Sequence, residues 1–206
     1  LINAAMITLE HDQPGASVLL LLNGDTNRSF QIAFRTPASD NTGTPHVFEH
    51  ATLDGSEKYP SKSLFMSLSN QTYMTYMNAG TYSYGYTVFP LASLSEAQLL
   101  LSADYYLDSA FNPMLMEDES IFREEAWRYA MDSADAELTI AGTVYSEMSG
   151  AFDIARASDL NFNSVLFPGS VTQYSTGGIP ENIPDMTWQH LKDFHETYYH
   201  PSNSLT

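Results

Sequence analysis

The chain has 206 residues, 43% of them apolar, enough for one domain of about 150–250 residues or two small ones. Twenty-five acidic residues face eight basic ones, a formal net charge of -17, and there is no cysteine. The charge speaks against nucleic acid and anionic membrane surfaces as partners, since both demand clustered Lys and Arg. The lack of cysteine removes disulfides, thiolate metal sites and cysteine nucleophiles.

No apolar run reaches the ~20 residues of a membrane span. The opening "LINAAMITLEHDQPGA" lacks the basic and apolar regions of a signal peptide and does not start with Met. The chain therefore reads as a piece of a longer protein. The absence of Cys and the low Lys count lean toward an exported protein.

The first 40 residues read as strands. "SVLLLLNG" is a buried apolar run, "DTN" a turn and "SFQIAFRT" an alternating strand, together an antiparallel hairpin. After the loop "ASDNTG", Pro45 suits the first turn of a helix with Thr44 as N-cap, ending near "DGS" with Gly55 in the C-terminal cap region. "SKSLFMSLSN" reads as a short helix. "TYMTYMNAGTY" and "YGYTVFPLA" read as two strands.

"SEAQLLLSADYYLDSAF" has helical spacing, and "EDESIFREEAWRYAMDS" reads as a further helix with acids in its first turn. One long helix is expected over about Gly142 to Phe162. "FPGSVTQYSTGGIPENIPD" is a Gly/Pro-rich loop, and "TWQHLKDFHETYY" a last helix with Thr187 as N-cap. Strands, helices, strands, then helices point to an α+β domain, an antiparallel sheet covered by helices.

The chemistry concentrates in "HVFEH". On a helix, His46, Glu49 and His50 fall within an arc of about 100°. Two imidazoles one turn apart can reach one metal ion from one face, with Glu49 beside it and free of it. A borderline ion such as Zn²⁺ accepts such a set with one further protein ligand. The same pattern also fits a packed helix with histidines at its rim, so a third ligand decides. The acids of "EDESIFREEAW" read as a solvated helix start. Glu147, in the apolar stretch "GTVYSEMSGAF", is a lone carboxylate that needs a partner. Residue chemistry alone leaves the choice open.

H-x-x-E-H is the inverzincin signature. The stretches "TGTPHVFEH", "LDGSEKYPSKS", "TYMNAGTY", "FPLAS", "GTVYSEMSG" and "YYHPSN" occur in the order of the pitrilysin/insulinase family of zinc metallopeptidases. Across nearly its whole length the chain resembles the family's N-terminal catalytic domain, in the branch that contains the presequence proteases. The resemblance implies a single α+β domain over 1–206, of the pitrilysin/mitochondrial-processing-peptidase type. It implies His46, His50 and Glu147 as Zn²⁺ ligands and Glu49 as catalytic base. It implies that Asn78, Ala79 and Thr81 form a sheet edge that binds peptide substrates as an added strand. It also implies a C-terminal homologous half, in the same chain or a separate subunit, that closes over the site and contributes an arginine and a tyrosine. The alternative is a non-catalytic, peptide-binding or scaffold member.

Tyr73, Tyr76, Tyr82 and Tyr84 read as sheet or core packing rather than a subsite. His190, His195 and His200 recur every five residues, so they cannot share a helix face and read as surface or structural residues. His11 carries no signal.

Overall fold

The computed structural model describes residues 3–13 and 15–206. Its main sheet has seven strands: β1 (Ala5–Glu10), β2 (Ser17–Leu22), β3 (Arg28–Arg35), β4 (Met74–Met77), β5 (Gly80–Tyr82), β6 (Tyr86–Ser93) and β9 (Ser204–Leu205). They lie in the order β1-β2-β9-β3-β6-β4, and β5 pairs with β6 beyond the end of β4. All pairings are antiparallel except β2 with β9. A two-stranded ribbon, β7 (Arg128–Ala130) with β8 (Thr139–Ala141), stands apart.

The expected hairpin of β2 and β3 does not form. β9 lies between them, with Leu205 opposite Ser17 on one side and Ala33 on the other. β2 pairs instead with β1, and Leu19 to Leu22 are exposed rather than buried. In β3 the alternation predicts the faces correctly: Ile32 and Phe34 enter the core.

One face of the sheet carries the helices. These are α1 (Thr44–Thr52), α2 (Leu64–Ser69), α3 (Glu96–Phe111), α4 (Glu119–Glu125), α5 (Thr143–Ala151), α6 (Ile154–Leu166) and α7 (Trp188–Tyr198). α3 packs on β3 and β6, and α1 runs between α7, α4, α5 and β5. The core between them holds Ile32, Phe34, Phe48, Phe89, Leu91, Tyr105, Tyr106 and Leu191, so α1 is anchored by Val47, Phe48 and Ala51 on its buried side.

Three expected elements break, each for a local reason. "TYMTYMNAGTY" is two strands because Asn78 lies opposite Pro90 of β6. The Asn78 N–H donates to Pro90 O at 3.1 Å, but proline has no N–H to return. The orphaned Asn78 carbonyl accepts the Tyr106 hydroxyl at 2.8 Å instead. Tyr106→Phe should therefore leave that carbonyl unpaired and destabilise the fold by about 1–3 kcal/mol. Thermal and denaturant unfolding of the two proteins would show it, and equal stability would mean that water replaces the phenol.

The helix expected over Glu117–Ser133 stops at Glu125, and the chain turns into β7, where Trp127 Nε1–H donates to Met186 O at 2.9 Å. The long helix expected from Gly142 to Phe162 is two. Phe152 is extended, and Asp153 caps α6 by accepting the Arg156 N–H at 2.9 Å. At α1, Gly43 rather than Thr44 is the N-cap residue, in a left-handed conformation. The helix ends at Thr52, and the left-handed Gly55 turns the chain beyond it. Thr187 caps α7 as expected, in a box with His190.

The three late histidines are structural. His190 completes the capping box, and His200 accepts the Ser202 N–H. His195 stacks on Phe48 and Tyr199 and its Nε2 donates to Ala110 O at 3.1 Å. Burial holds the His195 pKa below its ordinary value, against the pull of that hydrogen bond and of Glu196. The unfolded chain then binds the proton more readily, so this contribution to stability is complete above about pH 6.5 and is lost as pH falls through the lowered native value. His195→Gln should flatten the fall in unfolding midpoint between pH 7 and 5. An unchanged slope would exclude His195 as the group responsible.

Tyr73, Tyr76, Tyr82 and Tyr84 are not core residues. All four are exposed, up to 75% for Tyr84, and Tyr82 stacks on Tyr86 across the β5–β6 pair.

Candidate metal centre and active site

α1 presents His46, Glu49 and His50 on the face turned toward α5. Its start is fixed by a close approach of backbone. A Cβ on Gly43 would meet Gly177 O and Gly178 Cα at 2.7 Å, and Gly43 has φ +78°. Only glycine satisfies both demands. The approach brings the Gly177 carbonyl within 3.4 Å of His46 Nδ1. His50 Nδ1 lies 3.1 Å from Glu125 Oε2. Each imidazole thus has Nδ1 engaged by an acceptor, so Nδ1 carries the proton and Nε2 keeps a lone pair.

Both Nε2 atoms face Glu147 on α5. Glu147 Oε2 stands 3.7 Å from His46 Nε2 and 3.6 Å from His50 Nε2, and the donor atoms of the three residues lie within 4.8 Å of one another. Donors about 2.1 Å from a tetrahedral ion stand about 3.4 Å apart; the two distances to Glu147 come close to this, and a small inward movement of the side chains would let the set hold one small divalent cation. The charges fit too. Glu49 and Glu125 are 7% and 8% exposed, and with Glu147 they place three carboxyl groups around two imidazoles. Such a site asks for a cation.

The titrations follow from the packing. Burial, then the neighbouring His50, holds His46 below its ordinary value. Burial also pulls His50 down, but the hydrogen bond to Glu125 and the charges of Glu49, Glu125 and Glu147 outweigh it and leave His50 raised. Burial raises Glu49 toward neutrality, against His50 and hydrogen bonds from Thr81. Glu49 stands outside the converging donor set. Asp54, one turn beyond His50, is pushed up to about 7, by burial first and Glu125 second.

A cavity of about 720 Å³ opens over these residues. Asn78, Ala79, Gly80 and Thr81 line one part, α6 another, and residues 172 and 174–177 a third. Asn78 and Gly80 turn their backbone groups toward β6, so by strand alternation those of Ala79 and Thr81 face the free edge. The Asn78 side chain folds onto the Ala79 N–H at 3.0 Å. The Thr81 hydroxyl points inward, 3.1 Å from Thr87 Oγ1.

Sequence reasoning missed Glu125, assigned to a solvated helix start. It shares a helix face with Ile121 and Phe122, both buried, and that spacing was the available signal. Thr143 Oγ1 donates to its other oxygen at 3.2 Å, so both carboxylate oxygens are held. Glu147 also differs from expectation, being half-exposed at 51% rather than enclosed.

No protein-family model matches the chain. It is 35% identical over 201 residues to protein HypA of Clostridium perfringens, covering 96% of this chain and 20% of that one. It is 38% identical over 202 residues to the mitochondrial presequence protease of Xenopus laevis, again covering 96% of this chain and 19% of the relative. The chain thus spans about a fifth of the length of the curated relatives it matches. Among solved structures, pitrilysin superposes with a TM-score of 0.73 at 23% identity, over 98% of this chain and 20% of pitrilysin. The mitochondrial address in one relative's name does not favour the export suggested by composition. No helix among the described residues is long and apolar enough to cross a membrane. By likeness along nearly its whole length to presequence proteases and by its pitrilysin-type fold, the chain belongs to the pitrilysin/insulinase family of metallopeptidases.

Proposed function

We propose that this chain is the N-terminal catalytic domain of a zinc metalloendopeptidase that hydrolyses unstructured peptides. The observation that carries the reading is the convergence of His46, His50 and Glu147 beside a buried carboxylate that is not one of the donors. Zn²⁺ held by those three residues would polarise the scissile carbonyl and acidify a water.

The chain's own residues do the rest. Glu125 and the Gly177 carbonyl fix both imidazoles in the tautomer that leaves Nε2 free. Glu49, raised toward neutrality by burial, takes the proton of the attacking water and later gives it to the leaving amine. The edge at Ala79 and Thr81 positions the peptide as an added strand through backbone hydrogen bonds, which suits extended chains and excludes folded ones. A C-terminal homologous half, in the same chain or a partner, would complete the chamber.

The test is cleavage of fluorogenic peptides by the full-length protein, with metal content measured on the same sample. One zinc per site and turnover abolished by chelation, then restored by zinc, are expected. Bound zinc with no turnover on any peptide would favour the non-catalytic, peptide-binding alternative.

A further inference from the structure

Eight Lys and Arg residues serve a chain with 25 acids, and most have visible occupations. Arg28 pairs with Glu96, Lys58 with Asp104, Lys62 with Glu124, and Arg123 with Glu119. Lys192 lies over the Trp188 ring, and an Arg128 N–H donates to the Arg123 carbonyl. Arg35 and Arg156 have no such occupation: among the described residues no ion pair, hydrogen bond or ring engages either guanidinium. Arg35 is exposed on β3. Arg156 stands in the first turn of α6, its backbone N–H docked on Asp153. It is also the one Lys or Arg among the residues that line the cavity over His46, His50 and Glu147.

The cavity's other charges are acidic. Glu49, Glu147 and Asp159 line it, Asp159 one turn along α6 from Arg156. Apart from the metal centre itself, Arg156 is the cationic side chain that a peptide carboxylate entering this space would meet. The break at Phe152–Asp153 sets that position, because α6 starts afresh there and turns Arg156, Leu160 and Asn163 toward the cavity at spacings of four and three. The backbone edge of β5 reads no side chains, so preference must come from walls such as this one.

We propose that Arg156 is a specificity-determining residue that binds a carboxylate of the peptide, either an acidic side chain or the free carboxy terminus. The proposal rests on the peptidase reading for its substrate and on the cavity lining for its residue. A guanidinium presents two parallel N–H donors that match a carboxylate, and it stays charged at every working pH. The surrounding acids favour cationic peptides over the rest of their length. One carboxylate on Arg156 would then fix which bond lies at the metal centre.

The experiment uses the full-length, zinc-loaded protein and one fluorogenic peptide scaffold. Glu and Gln are exchanged singly at positions on both sides of the scissile bond, each peptide made as the free acid and as the amide. Binding of the same peptides to the Glu49→Gln protein is followed by fluorescence anisotropy. One Glu position, or the free acid, should lower KM and the dissociation constant about 5- to 10-fold relative to its neutral counterpart, the scale of a partly exposed charge pair. Arg156→Gln should bring that ratio to about one, Arg156→Lys should restore part of it, and Arg156→Glu should invert it. A dependence on Glu with none on the terminus identifies a side chain as the ligand, and the converse identifies the carboxy terminus.

A ratio unchanged in Arg156→Gln, or an equal loss on every peptide, would overturn the assignment. A carboxylate preference in binding with no turnover from the parent protein would overturn the peptidase reading and leave Arg156 as the carboxylate site.

Discussion

Glu49→Gln is expected to keep its metal and to lose peptide turnover by roughly 10²-fold or more. The two halves of that expectation come from different observations. Metal retention follows because Glu49 is outside the donor set formed by His46, His50 and Glu147. The amide keeps the shape of the carboxylate, so the buried packing around residue 49 is retained. Loss of turnover follows because the amide cannot take a proton. Burial has raised this carboxyl toward neutrality, the condition in which a base can both accept a proton from water and return it to an amine. His50→Ala, by contrast, removes a ligand and should lose metal and turnover together. Metal content and cleavage must be measured on the same preparations of full-length protein. A near-normal rate from Glu49→Gln would remove Glu49 from the mechanism.

The metal centre was legible because its information is local or conveyed by motif. His46, Glu49 and His50 sit on a single helix, and helical geometry alone brings them to one face. Glu147 arrives from a helix some hundred residues later; its place in an apolar stretch marks it as a candidate among 25 acids, and the resemblance of "GTVYSEMSG" to a family pattern selects it. Glu125 was lost because the charge of "EDESIFREE" masked the burial of one of its members. The sheet's strand content was readable, but its order was not. A two-residue strand from the far end of the described chain separates β2 from β3, and no local periodicity encodes that insertion. The interruption of the sheet edge at Asn78 depends on Pro90 lying opposite, a pairing that appears only once register is known. The exposure of four tyrosines had the same cause: β-propensity marks a strand but does not say which face is covered.

Expressed alone, residues 1–206 should bind zinc and cleave peptides at close to the background rate. All the donors, and the acceptors that orient them, lie between Gly43 and Gly177, so metal binding needs nothing further. Catalysis does. Glu147 is half-exposed in a cavity that opens to solvent, so on this chain alone a bound peptide would meet only part of an enclosing wall. The family resemblance assigns an arginine and a tyrosine of the homologous half to the developing oxyanion. Removing one preorganised donor of that kind typically costs about 10²–10³ in rate. Loss of the enclosing wall also removes positioning, which can matter as much. Both losses fall on the same step, so they compound. Adding the remaining part of the protein, in cis or as a separate chain, should restore cleavage. The comparison needs matched zinc occupancy and one fluorogenic peptide. Full activity from residues 1–206 would show that their substrate site is complete without a second half.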